Sequence, residues 1–198
     1  MYLFIDTTQN ITIGLLGEDL KWIDYQYLIS KKSSAELHYL IYEMLSSRNK
    51  DVTSITGLIY CAGPGSYTGM RISEGLSNIF EWSKIKVNSF YHFEVPAICG
   101  ANKGIWGAKA FKGEYFLYSW NQTVGEKILV PENELESRIG NKEIYFGHEA
   151  FLEKSGKLSK DFIKDCPELI FKYVLENNLC VPLYYYRPLE EEFSRKNE

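Results

Sequence analysis

The chain has 198 residues, 45% hydrophobic and 24% charged, which fits a globular protein with one core or two small ones. A formal net charge of −4 argues against a surface that grips nucleic acid unaided, because neutralising phosphates needs a basic footprint, and leaves room for nucleic acid held by a partner. No apolar run approaches the roughly 20 residues that span a bilayer. The first apolar run is interrupted by Asp6 with no basic leader, and Cys61, Cys99, Cys166 and Cys180 stand far apart without a C-x-x-C pair. Together these features point to a cytoplasmic protein with reduced thiols.

In chain order, Tyr2 to Asp6, Ile11 to Leu16 and Trp22 to Ile29 read as a meander of three strands, with turns at Gln9-Asn10 and Gly17-Glu18-Asp19. Ser33 and Glu36 make an S-x-x-E capping box ahead of a helix whose stripe is Leu37, Leu40, Ile41, Met44 and Leu45. Ile55 to Cys61 is a buried-strand candidate. Met70 to Ser83 follows as a second helix with Ile72, Leu76, Ile79 and Phe80 on one side, and Val87 to Phe90 as a short strand. Past residue 100, strands are expected at Ile105 to Trp106, Lys109 to Trp120, Lys127 to Val130 and Glu143 to Phe146, and a helix at Leu169 to Glu176. Lys112-Gly113-Glu114 reads as a turn. Val181 to Tyr186 is apolar but holds Pro182, which favours an edge or a docking segment, and Glu190 to Glu198 is expected to fray.

The segment Gly63-Pro64-Gly65-Ser66-Tyr67-Thr68-Gly69-Met70-Arg71-Ile72 lies between a strand and a helix. Backbone N–H groups in that position suit an anion, so Gly63, Gly65, Ser66, Thr68 and Gly69, with Asp6, Thr7 and Thr8 at the end of the first strand, form a candidate phosphate or nucleotide loop. The loop lacks the G-K-[ST] ending of a P-loop, and close packing of the connection explains the glycines equally well. His38, His92 and His148 form no H-E-x-x-H or H-x-x-x-H pair, and neither metal ligands nor catalytic residues are expected. No G-x-S-x-G elbow occurs, which leaves a peptidase without its nucleophile.

Away from the apolar stripes, Ala35, Tyr39, Tyr42 and Ser46 share one face of the first helix, and Arg71, Gly75, Asn78 and Trp82 one face of the second. Small residues permit close approach and aromatics anchor, so these faces are candidate partner contacts.

Ile5-Asp6-Thr7-Thr8, the helix pattern from Ser34 to Leu45 and the run from Gly63 to Ile72 together resemble the TsaB family, also called YeaZ. The resemblance is carried by residues 1–90. Beyond them, Lys109 to Glu114 looks like an eroded D-x-R-x-x-E segment, Phe146-Gly147-His148 occupies the place of a G-D-G-like turn, and Leu183 to Arg187 is similar to a closing P-x-Y-L-R. The resemblance implies an α/β, actin-like (ribonuclease H-like) fold of two lobes. Residues 1–100 would form the N-terminal lobe and 101–198 a smaller, divergent C-terminal one. It further implies a non-catalytic scaffold in the assembly that places threonylcarbamoyl on the adenosine next to the anticodon of tRNA. Such a scaffold pairs with a TsaD-like catalytic subunit through its two N-terminal helices, with a TsaE-like ATPase joining and tRNA bound through the complex. It has no cofactor of its own, ATP belongs to the complex, and a homodimer is an alternative when the chain is alone. Thr7 and Thr8 stand where actin-like ATPases carry glycine, against autonomous hydrolysis. An independent actin-fold ATPase or kinase is the alternative reading.

Overall fold

Two five-stranded mixed sheets organise the chain. The computed structural model describes residues 1–29, 33–111, 113–122, 124–152 and 156–187, without the side chains of residues 33–35 and 124. The expected Ser33 cap, the Lys112 turn position and the fraying end lie outside the described residues.

In the first sheet β1 (Tyr2–Asp6), β2 (Ile11–Leu16) and β3 (Trp22–Leu28) form the antiparallel meander. Helix α1 (Ser33–Ser46) leads to β4 (Gly57–Cys61), which pairs in parallel with β1; α2 (Tyr67–Trp82) leads to β5 (Lys86–Phe90), parallel to β4. Parallel neighbours require such crossovers. Alternation along the strands supplies both faces. Leu3, Ile5, Ile13 and Leu58 join the cluster that holds α1 and α2, whereas Phe4, Leu16, Ile59 and Phe90 belong to the cluster on the other side.

The stripe of α1 is buried as its periodicity predicts, with Leu40 half-buried. On α2 the buried line runs through Met70, Ser73, Leu76, Ser77 and Phe80. Ile79, expected on the apolar side, is 50% exposed because two serines occupy the face that meets the sheet. The helix starts at Tyr67, a turn earlier than its hydrophobicity suggests, because the Ser66 hydroxyl caps it by accepting from the Gly69 N–H at 3.3 Å.

A short helix, α3 (Val95–Ile98), precedes the second sheet. There β6 (Lys103–Lys109), β7 (Glu114–Asn121) and β8 (Val124–Pro131) are antiparallel. Helix α4 (Glu132–Ile139) crosses to β9 (Ile144–Phe146), parallel to β6, and β10 (Lys157–Leu158) pairs with β9. Helix α4 was not legible as a helix because only Leu135 and Ile139 of its residues are buried. Numbered from its own first strand, each sheet has the order 3-2-1-4-5, so the molecule is a topological repeat that the sequence does not display.

Beyond β10 the chain returns to the first sheet. Helices α5 (Ser159–Asp165) and α6 (Pro167–Glu176) place Ile163, Ile170, Phe171 and Val174 in one cluster with Phe4, Ile59 and Phe90. Phe171 packs 5.1 Å from Phe4 and 5.6 Å from Trp22, ring to ring. Residues after 100, read in sequence as a lobe of their own, are therefore shared between the two sheets.

The segment 179–187 then runs as an extended strap. The Ser89 N–H donates to the Leu179 carbonyl at 2.9 Å, Val181 N–H to Ser89 Oγ at 2.7 Å and Tyr184 N–H to the Ala62 carbonyl at 2.8 Å. Pro182 fits where no ladder N–H is required. The strap ends on the second lobe, where the rings of Tyr184 and Tyr186 pack on Phe116 and Arg187 pairs with Glu114. Among the described residues no helix is long and apolar enough to cross a membrane.

Phe171→Ala should destabilise the protein by about 3–5 kcal/mol in urea unfolding, the cost of emptying a packed aromatic site. A loss below about 1 kcal/mol would mean that α6 is not part of the first lobe's core.

Candidate functional site

The glycine-rich segment lies directly on the turn that follows β1. A Cβ on Gly65 would strike the Thr8 carbonyl oxygen, and one on Gly69 the Thr7 carbonyl oxygen. Gly63 has φ of +112°, and a Cβ there would meet the Tyr184 carbonyl of the strap at 2.7 Å. Ser66 N–H donates to the Thr8 carbonyl at 2.5 Å, and the Thr7 hydroxyl donates to the Gly69 carbonyl at 2.6 Å while bonding Ser73 Oγ at 2.7 Å. The N–H groups of Ser66, Gly69 and Met70 are thus engaged within the chain rather than turned toward an anion. Thr68 is exposed on the first turn of α2, apart from this contact.

Asp6 is buried at the C-terminal end of β1. Its Oδ1 accepts from the Thr8 N–H at 2.9 Å and from the Thr8 hydroxyl at 2.7 Å, an Asx-type turn. Its Oδ2 lies 2.6 Å from His92 Nε2 and 3.3 Å from His148 Nε2. Because the Thr8 hydroxyl gives its proton to Asp6, its oxygen accepts from His148 Nε2–H at 2.9 Å. Neither ring's Nδ1 has a hydrogen-bond partner among the described residues.

Both histidines were missed as site residues, because linear spacing from Asp6 carries no sign of the contact. A usable signal existed: Phe90-Tyr91-His92 and Phe146-Gly147-His148 each place a histidine two residues past a strand, at the edge where parallel strands gather their sites.

Burial works to raise the Asp6 pKa, and the imidazoles of His92 and His148 more than offset it, holding the carboxyl well below its usual range. Burial likewise opposes a charge on His92, but the Asp6 carboxylate 2.6 Å away outweighs it, so His92 stays protonated well above the ordinary imidazole pKa. For His148 burial prevails over Asp6 and the pKa falls. The pair Asp6–His92 is therefore ionic and His148 neutral. Burial pushes the Cys61 thiol up, which denies it the thiolate form of a nucleophile.

A cleft of about 230 Å³ opens beside this cluster, lined from the first lobe by Thr8, Ser66 and His92 and from the second by Trp106, Lys109 and His148. The partner-contact candidates lie elsewhere. Tyr39, Tyr42 and Ser46 on α1 and Arg71, Gly75, Asn78 and Trp82 on α2 are all exposed, and nothing lies within 4 Å of a Cβ built on Gly75. The Ala35 side chain is outside the described residues.

Two sheets of identical ribonuclease H-like order, facing each other across a cleft at their strand ends, define an actin-like two-lobe protein. No protein-family model matches the sequence. It is 25% identical over 167 residues to the tRNA threonylcarbamoyladenosine biosynthesis protein TsaB of Bacillus subtilis, spanning 77% of this chain and 72% of that one. In fold it matches YeaZ from Pseudomonas aeruginosa with a TM-score of 0.65 at 14% identity, over 92% of this chain and 98% of that one. A second structure, of an uncharacterised protein with similarity to peptidase YeaZ from Pseudomonas aeruginosa, matches at 0.63 and 14% over 92% and 99%. In sequence and in fold the chain is similar to TsaB (YeaZ) proteins.

Two expectations follow from this geometry. Gly69→Ala should destabilise by more than about 2 kcal/mol, since backbone has to move, whereas Gly75→Ala should be neutral or stabilise by up to about 1 kcal/mol. Thermal melts of the two variants distinguish a packing glycine from an open one. Asp6→Asn, measured with chelator present, should cost about 3–5 kcal/mol near neutral pH by leaving His92 without its counter-ion. The depressed Asp6 contributes stability above the unfolded carboxyl pKa near 4 and loses it as the pH falls toward the folded value. The raised His92 contributes below about 6.5 and loses it as the pH rises through its folded value. The wild-type advantage over Asp6→Asn should therefore shrink at both extremes, and a difference independent of pH would refute the ionic pair.

Proposed function

We propose that this chain is a non-catalytic partner subunit in the formation of threonylcarbamoyladenosine in tRNA, docking a TsaD-like catalytic subunit through the outer faces of α1 and α2. The observation that carries the reading is the exposed aromatic and aliphatic patch on two adjacent helices: Tyr39 at 61%, Tyr42 at 66%, Ile79 at 50% and Trp82 at 81% exposure. Their own packing stripes are already used against the sheet, so these side chains have no structural role within the chain. The name of the Bacillus subtilis relative supplies the pathway. The net charge of −4 agrees with tRNA being held by other members of the assembly, and a TsaE-like ATPase and ATP enter there too.

Autonomous turnover of a nucleotide has less support. Asp6 is committed to Thr8, His92 and His148; of the loop amides, that of Ser66 is committed to the Thr8 carbonyl and those of Gly69 and Met70 to Ser66.

Co-purification with the TsaD-like protein of the same organism tests the proposal. Tyr39→Asp and Gly75→Arg should each abolish the complex on size-exclusion chromatography with the melting temperature of the isolated chain unchanged, because a contact that buries an unpaired charge loses several kcal/mol. Complexes that survive both substitutions would remove the helix faces from the account. Micromolar ATP binding with turnover by the isolated chain would favour the kinase or ATPase alternative.

A further inference from the structure

We propose that Asp6, His92 and His148 form a binding site for one divalent transition-metal ion, of the zinc class, that fastens the two lobes together at the cleft. Three potential ligand atoms, Asp6 Oδ2 and the two Nε2 atoms, lie within 4.8 Å of one another, and all three residues are buried. An ion about 2.0–2.2 Å from each ligand sets tetrahedral ligands about 3.3–3.6 Å apart; His148 Nε2 is already 3.3 Å from Asp6 Oδ2, and His92 Nε2, now 2.6 Å away, would move back by about 1 Å as the ion replaces the two Nε2 protons.

The surroundings are those of a ligand set held in place. Thr8 occupies Asp6 Oδ1 with both its N–H and its hydroxyl, which leaves Oδ2 as a single directed donor. That is the outer-shell support that metal-bound carboxylates receive. The ligands come from three separate strand ends: Asp6 as the last residue of β1, His92 after β5 and His148 after β9. The imidazole rings are 4.8 Å apart and inclined at 58°, so they approach the carboxylate from different directions. Two imidazole nitrogens and one carboxylate oxygen favour a borderline-soft ion such as Zn²⁺ or Fe²⁺ over Mg²⁺ or Ca²⁺, which require mostly oxygen. His92 and His148 also line the 230 Å³ cleft, which can supply water or an anion to the ion's remaining position. Since His148 is the sole contribution from the second lobe, the ion would act across the lobe boundary. This inference does not rest on the proposed docking role, and its test involves no partner.

The full chain, stripped with chelator, is titrated with Zn²⁺ by calorimetry and with Co²⁺ by visible absorption. One equivalent should bind, with ligand-field bands of a nitrogen–oxygen site in the Co²⁺ form and a higher melting temperature. His92→Gln and His148→Gln should each weaken binding by about 100-fold or more, and Thr8→Val, which removes only the supporting hydroxyl, by about 10-fold. Cys180→Ser should leave binding unchanged, separating this site from the exposed thiol. Failure of the wild-type chain to take up either ion, or uptake that persists in both histidine variants, overturns the proposal. The wild-type Co²⁺ spectrum decides the matter even if a variant does not fold.

Discussion

A buried carboxylate is the constraint around which this molecule is arranged. Removing a charge from water carries a penalty of several kcal/mol, and the chain offsets it by surrounding Asp6 with two donors from Thr8 and two imidazoles. Those donors come from the turn after β1, the exit of β5 and the exit of β9, so satisfying one side chain brings both lobes into register. The glycine-rich segment closes over the same turn. Its glycines matter because Thr7 and Thr8 present carbonyl oxygens where any side chain would collide.

The two lobes are held by a second device of a different kind. Phe93, Trp106, Phe116, Trp120 and Tyr145 form one aromatic cluster, and the strap lays Tyr184 and Tyr186 on it. Many of the chain's aromatic residues are thereby explained as internal packing rather than as a docking surface. Arg187 and Glu114, from opposite ends of the second half, are partners in one ion pair.

On the outside, α1 and α2 each present two contrasting faces. Each has a stripe committed to the first sheet and a second face that carries large rings into solvent. Folding alone supplies no reason for Trp82 or Tyr42 to remain exposed, and the docking role proposed above would supply one. The cluster at Asp6 and the helix faces lie in different regions, so chemistry at one can be altered without disturbing the other.

Local patterns were enough to locate the meander, both long helices of the first lobe and the glycine-rich connection, because each rests on residues within a few positions of one another: alternation, an apolar stripe, a run of glycines. The family resemblance rested on the same stretches. Helix α4 escaped because two buried residues make too faint a stripe, and Ile79 was misplaced because the sheet-facing side of α2 holds serines. Tertiary structure alone decided three matters: that the two sheets share one strand order, that α6 belongs to the first of them, and that Asp6, His92 and His148 meet. Each depends on contacts between residues about 40 to 170 positions apart, and at such separations neighbours in the chain carry no record of which strand end will face which.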